Sequence, residues 1–205
     1  MKLALFGATG RVGKQLAELA LAAGHELHLL VRSKQEWMEQ PGIHVWVGDA
    51  RKAQDIEQVL QGVDAVFSGL GTDKKTTLSE FVAAVVPVMK NQQVSRIVTI
   101  GTAGILNSRT EPGAYRFQSG ESNRKLTFAA EEHAKVFEAF KDSDLDWTII
   151  CPTYLPDGPL TEVYRTKEDY LPIDGKQIST ADTAHCAYTA LAEDKFKRTR
   201  VGLAY

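Results

Sequence analysis

The chain has 205 residues, about the length of one domain, and its 43% hydrophobic and 24% charged residues are typical of a soluble globular protein rather than a disordered one. It has 24 Lys and Arg against 26 Asp and Glu, so the net charge of −2 gives no basic field for nucleic acid or an anionic membrane. The longest apolar run, Phe81 to Met89, is too short to span a bilayer. Two distant cysteines and no leader pattern predict a cytoplasmic protein.

Short apolar runs alternate along the chain with segments of helical spacing. The runs that predict strands are Leu3–Phe6, Glu26–Val31, Ile43–Val47, Ala65–Phe67, Arg96–Ile100 and Trp147–Ile150, with Val201–Ala204 as a candidate seventh. The segments that predict helices are Gly10–Ala23, Lys52–Leu60, Leu78–Lys90 and Arg124–Lys141. This alternation predicts a single α/β domain over residues 1–205, with a doubly wound, Rossmann-like parallel sheet of six or seven strands and helices on both faces.

A glycine-rich turn follows the first predicted strand. Its sequence, Gly7-Ala8-Thr9-Gly10-Arg11-Val12-Gly13, has the spacing G-x-x-G-x-x-G and leads directly into a predicted helix. One glycine permits the tight turn, another lets the backbone approach a pyrophosphate, and Gly13 permits close packing of helix against strand. The unpaired N–H groups of the helix N-terminus favour phosphate. A turn that merely needs small residues is the alternative.

The end of the second strand predicts which dinucleotide binds. NAD-specific sites usually have an acidic residue there for the ribose 2′-hydroxyl, whereas this chain has Arg32 followed by Ser33. A guanidinium can bind a 2′-phosphate through two hydrogen bonds, so we expect NADP(H) to be preferred over NAD(H). A solvated arginine at a strand end is the other interpretation.

Further ligand-compatible residues follow the later strands. Asp49 and Ala50 follow the third strand, and Leu70 and Gly71 lie in a second glycine turn after the fourth. Two longer segments rich in glycine, proline and polar residues, 101–123 and 151–175, follow the fifth and sixth strands. Because open α/β sheets bind ligands at the carboxyl ends of their strands, we expect these two loops to hold the substrate.

These motifs resemble the atypical, NmrA-like short-chain dehydrogenase/reductases, nearest the branch of biliverdin reductase B and the flavin reductase-like proteins. The resemblance covers almost the whole chain, although the 101–123 loop is longer here than in biliverdin reductase B. Its motifs are Phe6–Gly13, Gly48-Asp49, Asp64–Val66, Leu70–Thr72, Thr76-Thr77, His133, Pro152, Pro159–Thr161 and Tyr164.

The resemblance implies a role for each cofactor residue. Gly7, Thr9, Gly10, Arg11 and Val12 would line the pyrophosphate, and Arg32 the 2′-phosphate. Asp49 and Ala50 would contact adenine, and Leu70 and Gly71 the adenosine ribose region. Thr102 would lie beside the nicotinamide, and Pro152, Thr153 and Tyr154 would border the nicotinamide and the substrate.

The chain has no Tyr-x-x-x-Lys pair, which protonates the alkoxide in typical members of the larger family. Hydride transfer to a conjugated acceptor spreads the charge and needs no positioned acid. This absence favours reduction of a planar acceptor such as FMN, riboflavin, a quinone or a tetrapyrrole. It fits equally well a protein that binds NADP(H) as a redox sensor without turnover.

Three residues are candidates for a direct role in the reaction. Thr102 is a candidate to orient the nicotinamide, His133 to relay a proton and Tyr154 to stack on the acceptor; the alternatives are a strand-end cap, a packing histidine and a loop aromatic. Arg124 and Lys125 are candidates to attract an acidic acceptor, or form a solvated helix start.

Other classes of function lack their motifs. The five histidines show no metal-ligand spacing along the chain, so no metal site is predicted. The hydrolase motif Gly-x-Ser-x-Gly is absent. The basic stretch Lys195–Arg200 predicts a solvated face rather than a nucleic-acid site. We expect a monomer or weak dimer with a shallow, permissive pocket over the nicotinamide.

Overall fold

The computed structural model describes residues 1–122 and 126–205. Within these ranges the structure has eight strands and five α-helices. The strands are β1 (Lys2–Phe6), β2 (Glu26–Val31), β3 (Ile43–Val47), β4 (Ala65–Ser68), β5 (Arg96–Ile100), β6 (Asp146–Pro152), β7 (Arg165–Glu168) and β8 (Thr199–Ala204). The helices are α1 (Arg11–Ala22), α2 (Ala53–Val59), α3 (Thr77–Asn91), α4 (Phe128–Lys141) and α5 (Thr180–Ala192).

All eight strands join one sheet in the order β3-β2-β1-β4-β5-β6-β8-β7. Every neighbouring pair is parallel except β7 with β8, which is antiparallel. The order reverses between β1 and β4, and this reversal opens a crevice at the carboxyl ends of the strands. The predicted doubly wound, Rossmann-like sheet is therefore confirmed.

The sheet has one strand more than the six or seven predicted. The candidate seventh strand is β8, and the additional one is β7, whose four residues are all exposed. Its sequence, Arg-Thr-Lys-Glu, has no apolar residue, so no hydrophobic pattern marks it as a strand. It forms only because its backbone pairs with β8 at the sheet edge.

Helices cover both faces of the sheet and bury two separate apolar clusters. On one face, α1 and α5 pack through Leu16 and Ala187 against strand residues such as Leu29. On the other face, α2, α3 and α4 form a second cluster, in which the rings of Phe6 and Phe81 lie 4.9 Å apart. None of the helices in the described ranges combines the length and the apolar character needed to cross a membrane.

The structure corrects the prediction that the whole basic stretch Lys195–Arg200 forms a solvated face. Lys195 and Lys197 are exposed as expected, but Arg200 is buried in β8 and not part of a solvated face. Its guanidinium donates to Asp169 Oδ1 at 2.8 Å, to Asn107 Oδ1 at 2.8 Å and to the carbonyl oxygen of Ile105. These partners compensate the buried charge, and they connect the two long loops to β8.

Candidate cofactor and acceptor site

The glycine turn after β1 is shaped by two close backbone approaches. Gly7 has a φ of +79°, and a Cβ there would lie 2.6 Å from the carbonyl carbon of Gly69. A Cβ on Gly13 would lie 2.9 Å from the carbonyl carbon of Gly7. Gly10 is the N-cap of α1, and the first helical hydrogen bond runs from Lys14 N to its carbonyl oxygen. The N–H groups before Lys14 have no acceptor within the helix and are available to a phosphate.

A cleft of about 520 Å³ lies at the crevice between β1 and β4. It brings together most of the residues predicted to bind the adenosine and pyrophosphate parts of the cofactor, whereas Arg11, Val12 and Ser33 are absent from its lining. The lining residues are Gly7, Ala8, Thr9, Gly10, Leu30, Val31, Arg32, Gly48, Asp49, Ala50, Arg51, Gly69, Leu70, Gly71, Asp73, Lys75 and Thr77.

Three charged lining residues, Arg51, Asp73 and Lys75, were not predicted from the sequence. Arg51 contacts both carboxylate oxygens of Asp49, through Nε at 3.0 and 3.1 Å and through Nη2 at 2.6 Å. These hydrogen bonds lower the pKa of Asp49 to about 2, so its carboxylate is ionised at neutral pH. The position of Arg51, two residues after a strand-end aspartate, is the sequence signal that was available.

Arg32 lies at the open rim of this cleft. Its side chain is 86% exposed, and Nη1 lies 3.5 Å from Oδ2 of Asp73, which is itself 57% exposed. An ion pair this exposed stabilises the protein little, so the guanidinium is free to exchange Asp73 for another anion. Ser33 is exposed beside it but does not line the cleft.

Arg11 connects the phosphate loop to the 151–175 loop. Its Nη1 donates to the carbonyl oxygen of Leu155 at 3.1 Å and to Asp157 Oδ1 at 3.0 Å. The side chain of Val12 is buried in the α1 core. Val12 can therefore meet a pyrophosphate only through its backbone N–H, whereas the exposed ion pair with Asp157 leaves the Arg11 guanidinium free to exchange this carboxylate for a phosphate.

A second pocket, of about 350 Å³, lies at the carboxyl ends of β5 and β6. It brings together four predicted residues: Thr102 after β5, and Pro152, Thr153 and Tyr154 at the end of β6. The residues not predicted are Ala103, Gly104, Arg116, Phe117, Glu121, Ser122, Leu126, Thr127, Ala129 and Ala130. The described lining of the pocket thus contains the aromatic rings of Phe117 and Tyr154 and a half-buried ion pair between Arg116 and Glu121.

Tyr154 and Thr102, two of the residues predicted to act in the reaction, differ in how far their side chains are already engaged within the protein. Tyr154 is 60% exposed at the mouth of the pocket, so its ring is available to a ligand. Thr102 Oγ1 accepts a hydrogen bond from Gly104 N at 3.4 Å, which is the strand-end cap that was the alternative to a role in the reaction. This bond is long, and the hydroxyl hydrogen remains available as a donor.

His133 does not line the second pocket. It lies on α4, one turn after Ala129 and Ala130, which do. Burial lowers the pKa of His133 to about 4, so its imidazole is neutral at physiological pH. A neutral imidazole set back from the pocket is poorly suited to donate a proton to an acceptor.

The loop over this pocket is organised by Glu121. Burial raises the pKa of its carboxyl, but hydrogen bonds from Ser108, from the N–H groups of Arg109 and Thr110 and from Arg116 outweigh this effect and lower the pKa to about 2. Ser108 Oγ donates at 2.7 Å and Arg116 Nε at 3.2 Å. Glu121 is thus engaged in holding the loop and is not a free acid.

The Pro159–Thr161 motif anchors the 151–175 loop rather than lining either pocket. Thr161 donates through N and Oγ1 to the two carboxylate oxygens of buried Asp182, at 2.8 and 2.7 Å. Tyr164 OH lies 2.8 Å from His185 Nδ1 on the same helix. The candidates for attracting an acidic acceptor, Arg124 and Lys125, lie outside the described residues.

Comparison with known proteins agrees with this geometry. A family model described as NAD(P)H-binding matches residues 7–194. Among solved structures, a Burkholderia pseudomallei protein provisionally described as exported is 27% identical, with a TM-score of 0.87 and full coverage of both chains.

Two more distant structures show the fold alone. A Streptococcus pneumoniae protein provisionally described as an NADH-flavin reductase is 24% identical, with a TM-score of 0.85 and coverage of 100% of this chain and 99% of that one. A short-chain dehydrogenase/reductase of Veillonella parvula, solved in complex with NADP, is 18% identical, with a TM-score of 0.79 and coverage of 100% and 94%.

Proposed function

This chain belongs to the NAD(P)H-binding family, and on that premise we propose that it is an NADPH-dependent reductase of flat conjugated acceptors such as FMN or riboflavin. The predicted relation to the atypical short-chain dehydrogenase/reductases is confirmed for the family and the fold. The acceptor, the turnover and the preference for NADPH belong to the proposal.

One observation carries the proposal: two clefts lie along the same edge of the sheet, and the described lining of the second one contains two aromatic rings and no free acid. The first cleft follows β1 and β4, and the second follows the adjacent strands β5 and β6. A dinucleotide with its phosphates on the glycine turn would extend from the first cleft towards Thr102. The nicotinamide would then meet an acceptor between Phe117 and Tyr154.

The proposed reaction needs little acid catalysis from the protein. The cofactor supplies the hydride. Within the described part of the second pocket, the ionised Glu121 and its partner Arg116 are held by the loop, and His133 stands outside the lining. The proton needed by a reduced flavin would come from water, while Tyr154 and Pro152 hold the acceptor flat against the nicotinamide.

The preference for NADPH is supported by charge at the rim of the first cleft. Arg32 and Lys75 line it, and Arg51 is neutralised locally by Asp49. In the free protein the anion opposite Arg32 is Asp73, at 3.5 Å. A 2′-phosphate would replace this carboxylate with a group of higher charge that can accept two hydrogen bonds from one guanidinium.

The test is a direct assay of turnover. Protein, NADPH and FMN are mixed without oxygen, and the absorbance band of the reduced nicotinamide is followed. We expect oxidation of NADPH that depends on both protein and FMN. If NADPH binds but is not oxidised by FMN, riboflavin, quinones or biliverdin, the reductase proposal fails and the redox-sensor interpretation replaces it.

A matched pair of variants tests the acceptor position. Tyr154→Ala removes the exposed ring and is expected to raise the KM for FMN several-fold, since an aromatic contact contributes about 0.5–1.5 kcal/mol. Tyr154→Phe retains the ring and is expected to keep the wild-type KM. Equal KM values for all three proteins would remove Tyr154 from the site.

A further inference from the structure

Glu26, His28 and His44 form a cluster at the amino end of the sheet, remote from both clefts. Glu26 and His28 are two residues apart on β2 and therefore share one face, and His44 on β3 is paired in register with His28. Glu26 Oε1 lies 3.2 Å from Nε2 of each imidazole. Among the described residues, this is the group of histidine and carboxylate ligands whose candidate atoms all lie within 4.8 Å of one another.

The tautomer of His28 leaves a lone pair pointing into this cluster. Its ring is buried, and Nδ1 lies 3.0 Å from the carbonyl oxygen of Val59. A carbonyl oxygen can only accept, so Nδ1 carries the hydrogen, and the neutral imidazole has its lone pair on Nε2. In that tautomer Nε2 faces Oε1 of Glu26 across 3.2 Å, an arrangement that requires a cation between the two atoms, either a proton or a metal ion.

The separations of the two imidazole nitrogens from Glu26 Oε1 fit a tetrahedral metal site. With zinc–ligand bonds of about 2.0–2.1 Å, neighbouring ligands lie about 3.3 Å apart. The two separations from Glu26 Oε1 are both 3.2 Å, and all three ligand atoms lie within 4.8 Å of one another. We propose that Glu26, His28 and His44 bind one divalent transition-metal ion of the zinc type, with water completing the coordination.

Neighbouring groups would orient and shield the metal ligands. The Val59 carbonyl fixes the ring of His28 in the way that backbone oxygens orient metal-ligating histidines. The Trp46 ring lies 5.0 Å from that of His28 and shields it on one side. Lys2 Nζ lies 3.6 Å from Glu26 Oε1, but its side chain is half exposed and can move away.

The bound ion would have a structural role. β3 is the terminal strand of the sheet, and the metal would tie it to β2. The cofactor cleft lies at the other end of β2, about 17 Å along the strand at 3.3 Å per residue. The expectation of no metal site rested on spacing along the chain, and this cluster is assembled across two strands.

The experiment measures zinc uptake by the full chain without an affinity tag. Zn²⁺ is titrated calorimetrically into metal-free protein, and thermal melting is followed with and without Zn²⁺. We expect one ion per chain, micromolar or tighter affinity and a higher Tm with zinc. Affinity for NADPH should be the same with and without zinc.

Matched variants identify the ligands. The Glu26 side chain is partly exposed and that of His44 is exposed, so Glu26→Gln and His44→Asn should both fold. Each should lower zinc affinity at least tenfold and abolish the shift in Tm. His25→Asn is the control: His25 lies next to Glu26, but its ring nitrogens contact the Met1 amino group and Tyr188 OH, each at 3.1 Å. It should bind zinc like wild type. Uptake only at millimolar zinc, or uptake that neither ligand variant weakens, overturns the proposal.

Discussion

Replacing Gly7 by alanine perturbs the phosphate loop in two ways at once. The φ of +79° places an L residue in the left-handed region, at a cost of about 1–2 kcal/mol. The new Cβ would lie 2.6 Å from the Gly69 carbonyl carbon, about 0.8 Å closer than the 3.4 Å at which ordinary contact begins. Because the neighbour is backbone, the turn after β4 must move, which adds about 1–3 kcal/mol.

Gly24→Ala is a control that separates the two costs. Gly24 has nearly the same φ, +77°, but a Cβ there would meet nothing within 4 Å, so only the backbone cost applies. We expect a fall in Tm of roughly 2–8 °C for Gly24→Ala and a total of roughly 4–20 °C for Gly7→Ala, at about 2–4 °C per kcal/mol for a chain of this size.

Cofactor binding should distinguish the two variants more sharply. Gly7→Ala displaces the loop that would hold the pyrophosphate, and losing one charge-assisted hydrogen bond of about 1.5–3 kcal/mol weakens NADPH binding roughly 10- to 100-fold. Gly24→Ala should bind NADPH like wild type. Thermal melting and titration by NADPH fluorescence measure both effects. Equal losses of stability in the two variants, or unchanged NADPH affinity in Gly7→Ala, would refute the close approach to Gly69.

Three further predictions concern individual side chains. Arg32→Ala should weaken NADPH binding about tenfold and leave NADH binding unchanged, whereas Asp73→Asn should strengthen NADPH binding; an unchanged ratio of the two affinities would contradict the 2′-phosphate role. The pKa of Glu121 is lowered from 4.5 to about 2, so the stabilisation from its ionised carboxylate is complete above about pH 4.5 and is lost as the pH falls towards 2. Between these pH values, denaturant melts should show the free energy of unfolding falling by about 3 kcal/mol less in Glu121→Gln than in wild type. His133→Asn should keep kcat for FMN within about twofold with an unshifted pH profile, because the imidazole lies outside the pocket lining; a large loss would restore it as a proton relay.

The cofactor half of the fold was predictable because its signals are local. The glycine turn Gly7–Gly13 follows an apolar strand and opens a helix, and each glycine has a steric reason that can be stated without a structure. The strand ends at Asp49 and Leu70 follow from the same rule, since parallel strands finish at one edge of the sheet. Gly7 and Gly10 of the turn line the cleft together with Asp49 and Leu70, as the pattern predicts.

The acceptor half depends on contacts between residues distant in sequence. Arg200 can be buried because Asp169, Asn107 and Ile105 compensate its charge. These partners come from two distant loops, so the sequence around Arg200 does not predict them. Glu121 folds the 101–122 segment onto itself through hydrogen bonds that span up to 13 residues. His133 has the right chain position by resemblance, but it lies one turn further along α4 than Ala129 and Ala130 and is not part of the pocket lining.

The exposed strand β7 bears on how copies of this chain can associate. It is only four residues long, and three of them, Arg165, Lys167 and Glu168, are charged and in contact with solvent. A second chain that extended the sheet here would have to strip water from these charges to gain a short ladder of hydrogen bonds. The polar sequence of β7, which is the reason that this strand was not predicted, thus protects the sheet from aggregating along this edge.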